Sequence, residues 1–283
     1  MKLAPFQYAA PKTVAEAVAL LGSCDAKALS GGQSLMPILA FRLAAPEMLV
    51  DLKYVQGLDR IAIDKDGVTL GAKVRWCDIE ADERLATAHP LLAEAIRHVA
   101  HYQIRNRGTV GGSLAHADPA AEMPGVAVTC DAILTLAGPT GERQVAAADF
   151  FEGALQTSLA ADELITQVRL PAWPASRRWG FREFARRRGD FALAGVAAFY
   201  DVDPQGRAVD PHIGVIGASD RPRRLARAEA ALAGRVVDSA CIADAAAAAS
   251  AEVDPPSDIH APADYRRALV ATMVERALAH AAR

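Results

Sequence analysis

Apolar positions recur along the chain with the period of a helix in some stretches and of a strand in others. Val14, Val18 and Leu21 fall on one helical stripe, and Thr13-Val-Ala-Glu16 ahead of it reads as a capping box. A short apolar piece from Ala26 to Ser30 runs into Gly31-Gly32. A second helical signal spans Leu35 to Leu43, and Met48 to Leu52 reads as a buried strand. Helix, strand, glycine turn, helix and strand in that order predict a small parallel α/β unit.

From about Gly57 the pattern changes. Leu58–Ile63 and Val68–Ala72 flank Asp66-Gly67, a hairpin signal. Leu91 to Val99 predicts a helix, and Arg105 to Asp118 reads as a long glycine-containing loop. Asp118-Pro-Ala-Ala-Glu122 predicts the opening of another helix, with Asp as N-cap, Pro in the first turn and Glu closing the box. Ala132–Ala137 and Leu164–Leu170 read as strands. Two prolines in Pro171-Ala-Trp-Pro174 then mark a boundary. Beyond it, Trp179–Arg186, Gly195–Val202 and Ile213–Ala218 predict an antiparallel sheet, with a turn at Asp203–Gly206. Arg223–Leu232, Ser239–Ala251 and Ala263–Ala282 predict helices. The expected division is 1–55 and 56–174 as two lobes and 175–283 as a C-terminal α+β domain.

Composition narrows the function classes. Hydrophobic residues make up 52% of the 283 and charged residues 23%, enough to bury a sizeable core. With 31 basic and 34 acidic residues the net charge is −3, so a generally basic surface for nucleic acid is excluded. No apolar run approaches the roughly 20 residues of a membrane span. The opening MKLAPFQYAAPK lacks a secretory pattern, so the expectation is a soluble cytoplasmic protein. Cys24, Cys77, Cys130 and Cys241 stand singly, without the paired spacing of zinc or iron–sulfur sites, and read as small core residues. Glu94, His98 and His101 imitate metal-ligand spacing, but no established metal motif surrounds them.

Two segments carry candidate chemistry: Ser30-Gly-Gly-Gln-Ser34, and Arg105 to Ser113, reading RNRGTVGGS. Paired glycines let backbone N–H groups turn toward one anion with no Cβ in the way. A helix starting after the first loop adds its positive end. Two such loops suit a pyrophosphate. A lone Gly-Gly is also an ordinary turn, and neither segment has the spacing of a Walker A motif or of G-x-G-x-x-G.

The ordered set of motifs resembles the FAD-binding medium subunit of molybdenum hydroxylases, the family of aerobic carbon monoxide dehydrogenase and xanthine dehydrogenase. The resemblance rests on Phe6-x-Tyr8-x-x-Pro11, on SGGQSLMP from Ser30 to Pro37, and on Arg42-Leu-Ala-x-Pro46 with Leu49-Val-Asp-Leu52. It continues in QIRNRGTVGGSLAHADP from Gln103 to Pro119 and in ARRRGDFA from Ala185 to Ala192. It implies an α+β fold: a two-lobed FAD-binding fold of the vanillyl-alcohol-oxidase (PCMH) type, followed by a C-terminal domain with a small antiparallel sheet and helices. It also implies FAD with its diphosphate over Ser30, Gly31, Gly32, Gln33 and Ser34 and over Thr109, Val110, Gly111, Gly112 and Ser113, whose amides and hydroxyls would surround it.

Asp118 would bond the polyol or phosphate-proximal part, cap a helix, or do both. Arg182 and Phe191 fall where family members place a cation and an aromatic ring near the flavin. Arg186, Arg187 and Arg188 read instead as a solvated or partner-facing edge. Leu164 and Ile165 match a flavin-contacting segment, or are apolar core. Some relatives attach FAD through a histidine of the first loop; Gln33 stands in that region here, so FAD is expected to bind non-covalently.

The implied partners are an iron–sulfur small subunit and a large subunit carrying the molybdenum cofactor, and the chain's own cysteine pattern agrees that cluster ligands come from elsewhere. The alternatives are a self-sufficient FAD-dependent oxidoreductase of the same fold, or an assembly subunit without flavin.

Overall fold

The computed structural model describes residues 2–282. The N-terminal unit runs β1 (Gln7–Ala9), α1 (Val14–Leu21), β2 (Ala26–Leu29), α2 (Leu35–Ala40), β3 (Met48–Asp51). Its strands pair in parallel in the order β1-β3-β2. The Thr13–Glu16 capping box is present, each side chain taking the other's orphan amide. Ala17, Val18 and Leu21 of α1 pack with Val50 and Leu52, and with Ala137 and Leu164 of the neighbouring sheet. Helix α2 stops three residues before the expected Leu43, because Arg42 turns left-handed at φ 59° and Leu43 N–H returns to the Ile38 carbonyl.

The middle region holds β4 (Ile61–Asp64), β5 (Gly67–Gly71), α3 (Trp76–Ala81), α4 (Arg84–Ala88), α5 (Pro90–Ile96), α6 (Tyr102–Arg105), α7 (Val110–His116) and α8 (Glu122–Thr129). It continues with β6 (Ile133–Gly138), β7 (Gly141–Ala146), α9 (Ala147–Phe150), β8 (Phe151–Gly153), β9 (Gln156–Thr157) and β10 (Leu164–Pro171). Five of the strands form an antiparallel sheet in the order β4-β5-β10-β6-β7.

Two expectations change here. The segment read as one loop from Arg105 to Asp118 is largely helical, since Thr109 caps α7 across its two glycines. Helix α8 begins at Glu122 rather than after Asp118, and its N-cap position is Ala121. Asp118 closes its own turn instead: its Oδ1 accepts from Ala120 N–H at 2.9 Å and its carbonyl from Ala121 N–H at 3.0 Å. Strand β7, GERQVA, gave no apolar signal because it is an exposed sheet edge.

The C-terminal region contains β11 (Arg178–Phe184), β12 (Ala194–Val202), β13 (Ala208–Ile216), β14 (Arg223–Arg224), α10 (Ala226–Leu232), α11 (Ser239–Glu252) and α12 (Ala263–Ala281). The four strands pair antiparallel in chain order. One face, with Val196, Ala198 and Tyr200, packs on the three helices. The other face, with Phe181, Ala197, Phe199 and Ile216, joins the core of the middle region. Gly180 lets the sheet meet α12, since a Cβ there would overlap the Ala277 carbonyl. Among the described residues no helix is long and apolar enough to cross a membrane.

Candidate cofactor cavity

A cavity of about 970 Å³ lies where the three regions meet. Both glycine segments line it, and they touch each other. A Cβ on Gly31 would overlap the Arg107 carbonyl, and Ser30 Oγ lies 2.9 Å from Thr109 Oγ1. Glycine at position 31 is therefore needed for the two segments to close on one another. Gly32 is left-handed at φ 70°, which turns the chain into α2. Gln33 Nε2 donates to the Gly31 carbonyl at 2.9 Å and holds the turn from within. The N–H groups of Gly31, Gly32, Gln33 and Ser34 meet no protein acceptor among the described residues. Four unpaired donors at the wall of a cavity demand a ligand or solvent.

The second segment is built differently. Val110 N–H donates to the Val74 carbonyl at 2.9 Å, Gly111 to Ala72 at 2.8 Å, Ser113 to Thr109 at 3.0 Å, and Gly112 to Thr109 Oγ1 at 3.2 Å. Those four amides are already engaged, which corrects the expectation that this segment offers main-chain donors as Ser30–Ser34 does; of Thr109–Ser113 only Thr109 N–H meets no protein acceptor among the described residues. Thr109, Gly111, Gly112 and Ser113 line the cavity and give it hydroxyls and a close backbone wall. Val110 is fully buried away from it and is not a lining residue. Gly111 is small for a packing reason: a Cβ there would stand 2.6 Å from Ala72 Cβ.

The rest of the wall supplies an apolar slot and acidic groups. Leu164 and Ile165 are both core and lining, at the start of β10. Asp118 lines the cavity with its second oxygen uncommitted. From the segment after β11 come Arg186, Asp190 and Phe191, the phenyl ring 62% exposed at the rim. Gly189, at φ 88°, brings that segment against His101, whose ring a Cβ would overlap. Arg182 is absent from the lining, contrary to expectation: its guanidinium turns back to donate to the Phe181 carbonyl at 2.6 Å. Strand alternation explains this. Arg182 lies on the strand face of Gly180, toward α12, while its neighbour Glu183 lies opposite Gly195 on the other face.

Glu122 and Glu183 are the functional candidates that sequence reasoning missed. Glu122 is 6% exposed and lines the cavity, and no other residue among those described hydrogen-bonds its carboxyl. Burial pushes it up to about 7, with Asp118 adding to the effect. Glu183 is pushed up to about 9 by burial and then by the nearby Glu122 charge, and its Oε2 is buried without a partner. The visible signal, a glutamate four residues after Asp118, was spent on a capping box. Only the sheet behind α8 reveals that this carboxyl is buried.

His98 stays by Glu94 at 3.8 Å and under the Phe181 ring, while the left-handed Ala100 sends His101 into the cavity. Among the described residues no three His, Cys, Asp or Glu side chains converge as a metal site.

A row of free amides, hydroxyls beside it and a long apolar slot fit a ligand with a diphosphate and a large planar ring, so the residues present suit FAD. This architecture defines the class: a two-lobed flavin-binding protein with a C-terminal α+β domain. Residues 4–173 match the family model for the FAD binding domain in molybdopterin dehydrogenase, and residues 179–281 that for the CO dehydrogenase flavoprotein C-terminal domain. The chain belongs to this family of FAD-binding medium subunits of molybdenum hydroxylases.

Among similar proteins, the 6-hydroxypseudooxynicotine dehydrogenase complex subunit alpha of Paenarthrobacter nicotinovorans is 40% identical, covering 99% of this chain and 96% of its own. The carbon monoxide dehydrogenase medium chain of Hydrogenophaga pseudoflava is 37% identical over 96% of each. The quinoline 2-oxidoreductase structure from Pseudomonas putida 86 superposes with a TM-score of 0.95 at 40% identity, covering 100% of this chain and 98% of that one.

Proposed function

We propose that this chain is the FAD-binding subunit of a molybdenum-containing hydroxylase or dehydrogenase. It holds FAD, non-covalently, between the iron–sulfur clusters of a small partner subunit and an external electron acceptor, while substrate is oxidised at the molybdenum cofactor of a large partner subunit. The observation that carries this reading is the junction of Ser30–Ser34 with Arg107–Ser113 over one cavity, with four amides left to donate.

Bound FAD supplies transfer of one or two electrons at a time. The chain's residues bind and orient it. In this reading residues 1–55 and 56–174 are the two flavin lobes and 175–283 the domain that closes over them. The amides of Gly31 to Ser34 take the diphosphate, helped by the Thr109 and Ser113 hydroxyls. Asp118 takes a hydroxyl of the polyol, and Leu164 with Ile165 line the ring's apolar side. Phe191 shields the ring from water at the rim. Gln33 presents an amide to this region, which is no nucleophile toward a flavin carbon. Charge-assisted hydrogen bonds of this kind contribute about 1.5–3 kcal/mol each. A cytoplasmic location is supported by four cysteines that are all unpaired.

The purified protein is expected to be yellow, to carry about one FAD per chain, and to be bleached by a reduced iron–sulfur partner. A colourless chain that takes up no added FAD overturns the assignment. Oxidation of a small organic substrate by the chain alone overturns the relay role.

A further inference from the structure

Two glutamates stand on packed surfaces beside the cavity, Glu122 on α8 in its wall and Glu183 on the sheet that α8 covers, and neither has an ion-pair partner among the described residues. Helix α8 crosses the C-terminal sheet so closely that a Cβ on Gly125 would overlap the Ile216 side chain. One turn earlier on the same face stands Glu122, lining the cavity. Ile216 pairs with Gly195, and Gly195 with Glu183, so all three lie on the sheet face that α8 covers. Gly195 leaves the space: a Cβ there would meet Ile216 Cβ at 3.2 Å and Glu183 Cγ at 3.5 Å. Neither glutamate forms an ion pair or a hydrogen bond with another residue among those described.

None of the other titratable and charged groups nearby pairs with either glutamate among the described residues. Asp118, just before α8, is a third acid facing Glu122. Asp190 and Arg186 line the same cavity and pair with each other at 3.7 Å. His260 lines it from the segment before α12. Arg266 of α12 donates to the Leu193 and Gly217 carbonyls and to Asp258. Two neighbouring carboxyls withdrawn from water and without a cation partner do not both stay charged at little cost, and one proton held by the pair relieves the repulsion.

We propose that Glu122 and Glu183 share a proton across the wall of the cofactor cavity and exchange protons with solvent as the flavin changes redox state. The inference rests on FAD occupying the cavity. Negative charge gained by a flavin held in this cavity would raise the proton affinity of Glu122 in its wall and, through it, of Glu183. The pair then binds a further proton from solvent through the cavity mouth, and releases it when the electrons leave. No bond to the cofactor forms or breaks in this exchange.

The test uses the FAD-loaded chain, with flavin absorbance confirming occupancy separately. Infrared spectra of oxidised wild type at neutral pH are expected to show the carbonyl stretch of a buried protonated carboxylic acid, which intensifies on reduction by dithionite. Glu183→Gln should abolish that band, and Glu122→Gln, which leaves the buried Glu183 acid in place, should remove its growth on reduction. Each should also lower the number of protons taken up per flavin reduced, read with a pH indicator. The proposal is overturned by a wild-type spectrum without the band or unchanged by reduction, a measurement that needs no variant. It is equally overturned if a flavin-loaded variant keeps both the band and the wild-type proton uptake.

Discussion

Glu183 keeps its proton in the fold at pH values where the unfolded chain has lost it, with a folded value of about 9 against 4.5 for a free glutamate. Glu122 does the same to a smaller extent, at about 7. The native state therefore binds more protons than the unfolded one across that interval. The stabilisation is complete below 4.5 and is lost as pH rises toward 9. Unfolding midpoints measured in denaturant should fall from weakly acidic to alkaline pH. Glu183→Gln, which cannot ionise, should flatten the alkaline part of that decline and exceed wild type in stability near pH 9. A variant curve parallel to wild type would show that Glu183 is solvated. Nothing in the sequence around Phe181-Arg-Glu-Phe184 marks this residue, because burial of a carboxyl is decided by what packs on it. The same strand shows the converse for Arg182: alternation was legible, but which face meets the cavity was not.

At the scale of elements, the two glycine segments look alike in sequence and act differently in the fold. Gly31→Val should force the two segments apart and abolish FAD binding in whatever chain remains folded, because the added Cβ meets the Arg107 backbone. Gly111→Val crowds Ala72 instead, and should lower the melting temperature of the flavin-free protein by an amount equivalent to about 1–3 kcal/mol. Calorimetry with flavin titration separates the two, and equal effects in both assays would remove the distinction. The sequence made the paired glycines visible. It did not show that Thr109 folds its glycines into a helix and so uses up their amides. Helix starts with a complete local signal, such as Thr13 with Glu16, were legible because the interaction closes within four residues. The start of α8 was not, because Asp118 had two local options and chose the turn.

Across the whole molecule, the buried Arg266 joins regions distant in the chain. Its guanidinium donates at 2.9 Å to the carbonyls of Leu193 and Gly217 and at 2.6 Å to Asp258. Gly217 N–H in turn donates to the Pro119 carbonyl, beside Asp118. Arg266→Met leaves two carbonyls without a donor and should cost about 1–3 kcal/mol of stability for each, read by denaturant titration. It should also weaken FAD retention by loosening the segment that carries Phe191. Unchanged retention in a folded Arg266→Met protein would place that segment's order elsewhere.

What the amino-acid order determined by itself was local and periodic: the capped first helix, the glycine bends, the strand alternation and the run of motifs shared with one family. Those follow from contacts within a few residues and from backbone freedom at glycine. The tertiary structure alone decided which amides remain free, that Arg182 turns away from the cavity, and that Glu122 of α8 packs over the sheet face carrying Glu183, 61 positions on in the chain (183 − 122 = 61). Burial and charge proximity are properties of packed surfaces, and those surfaces exist only once the sheets and helices have come together.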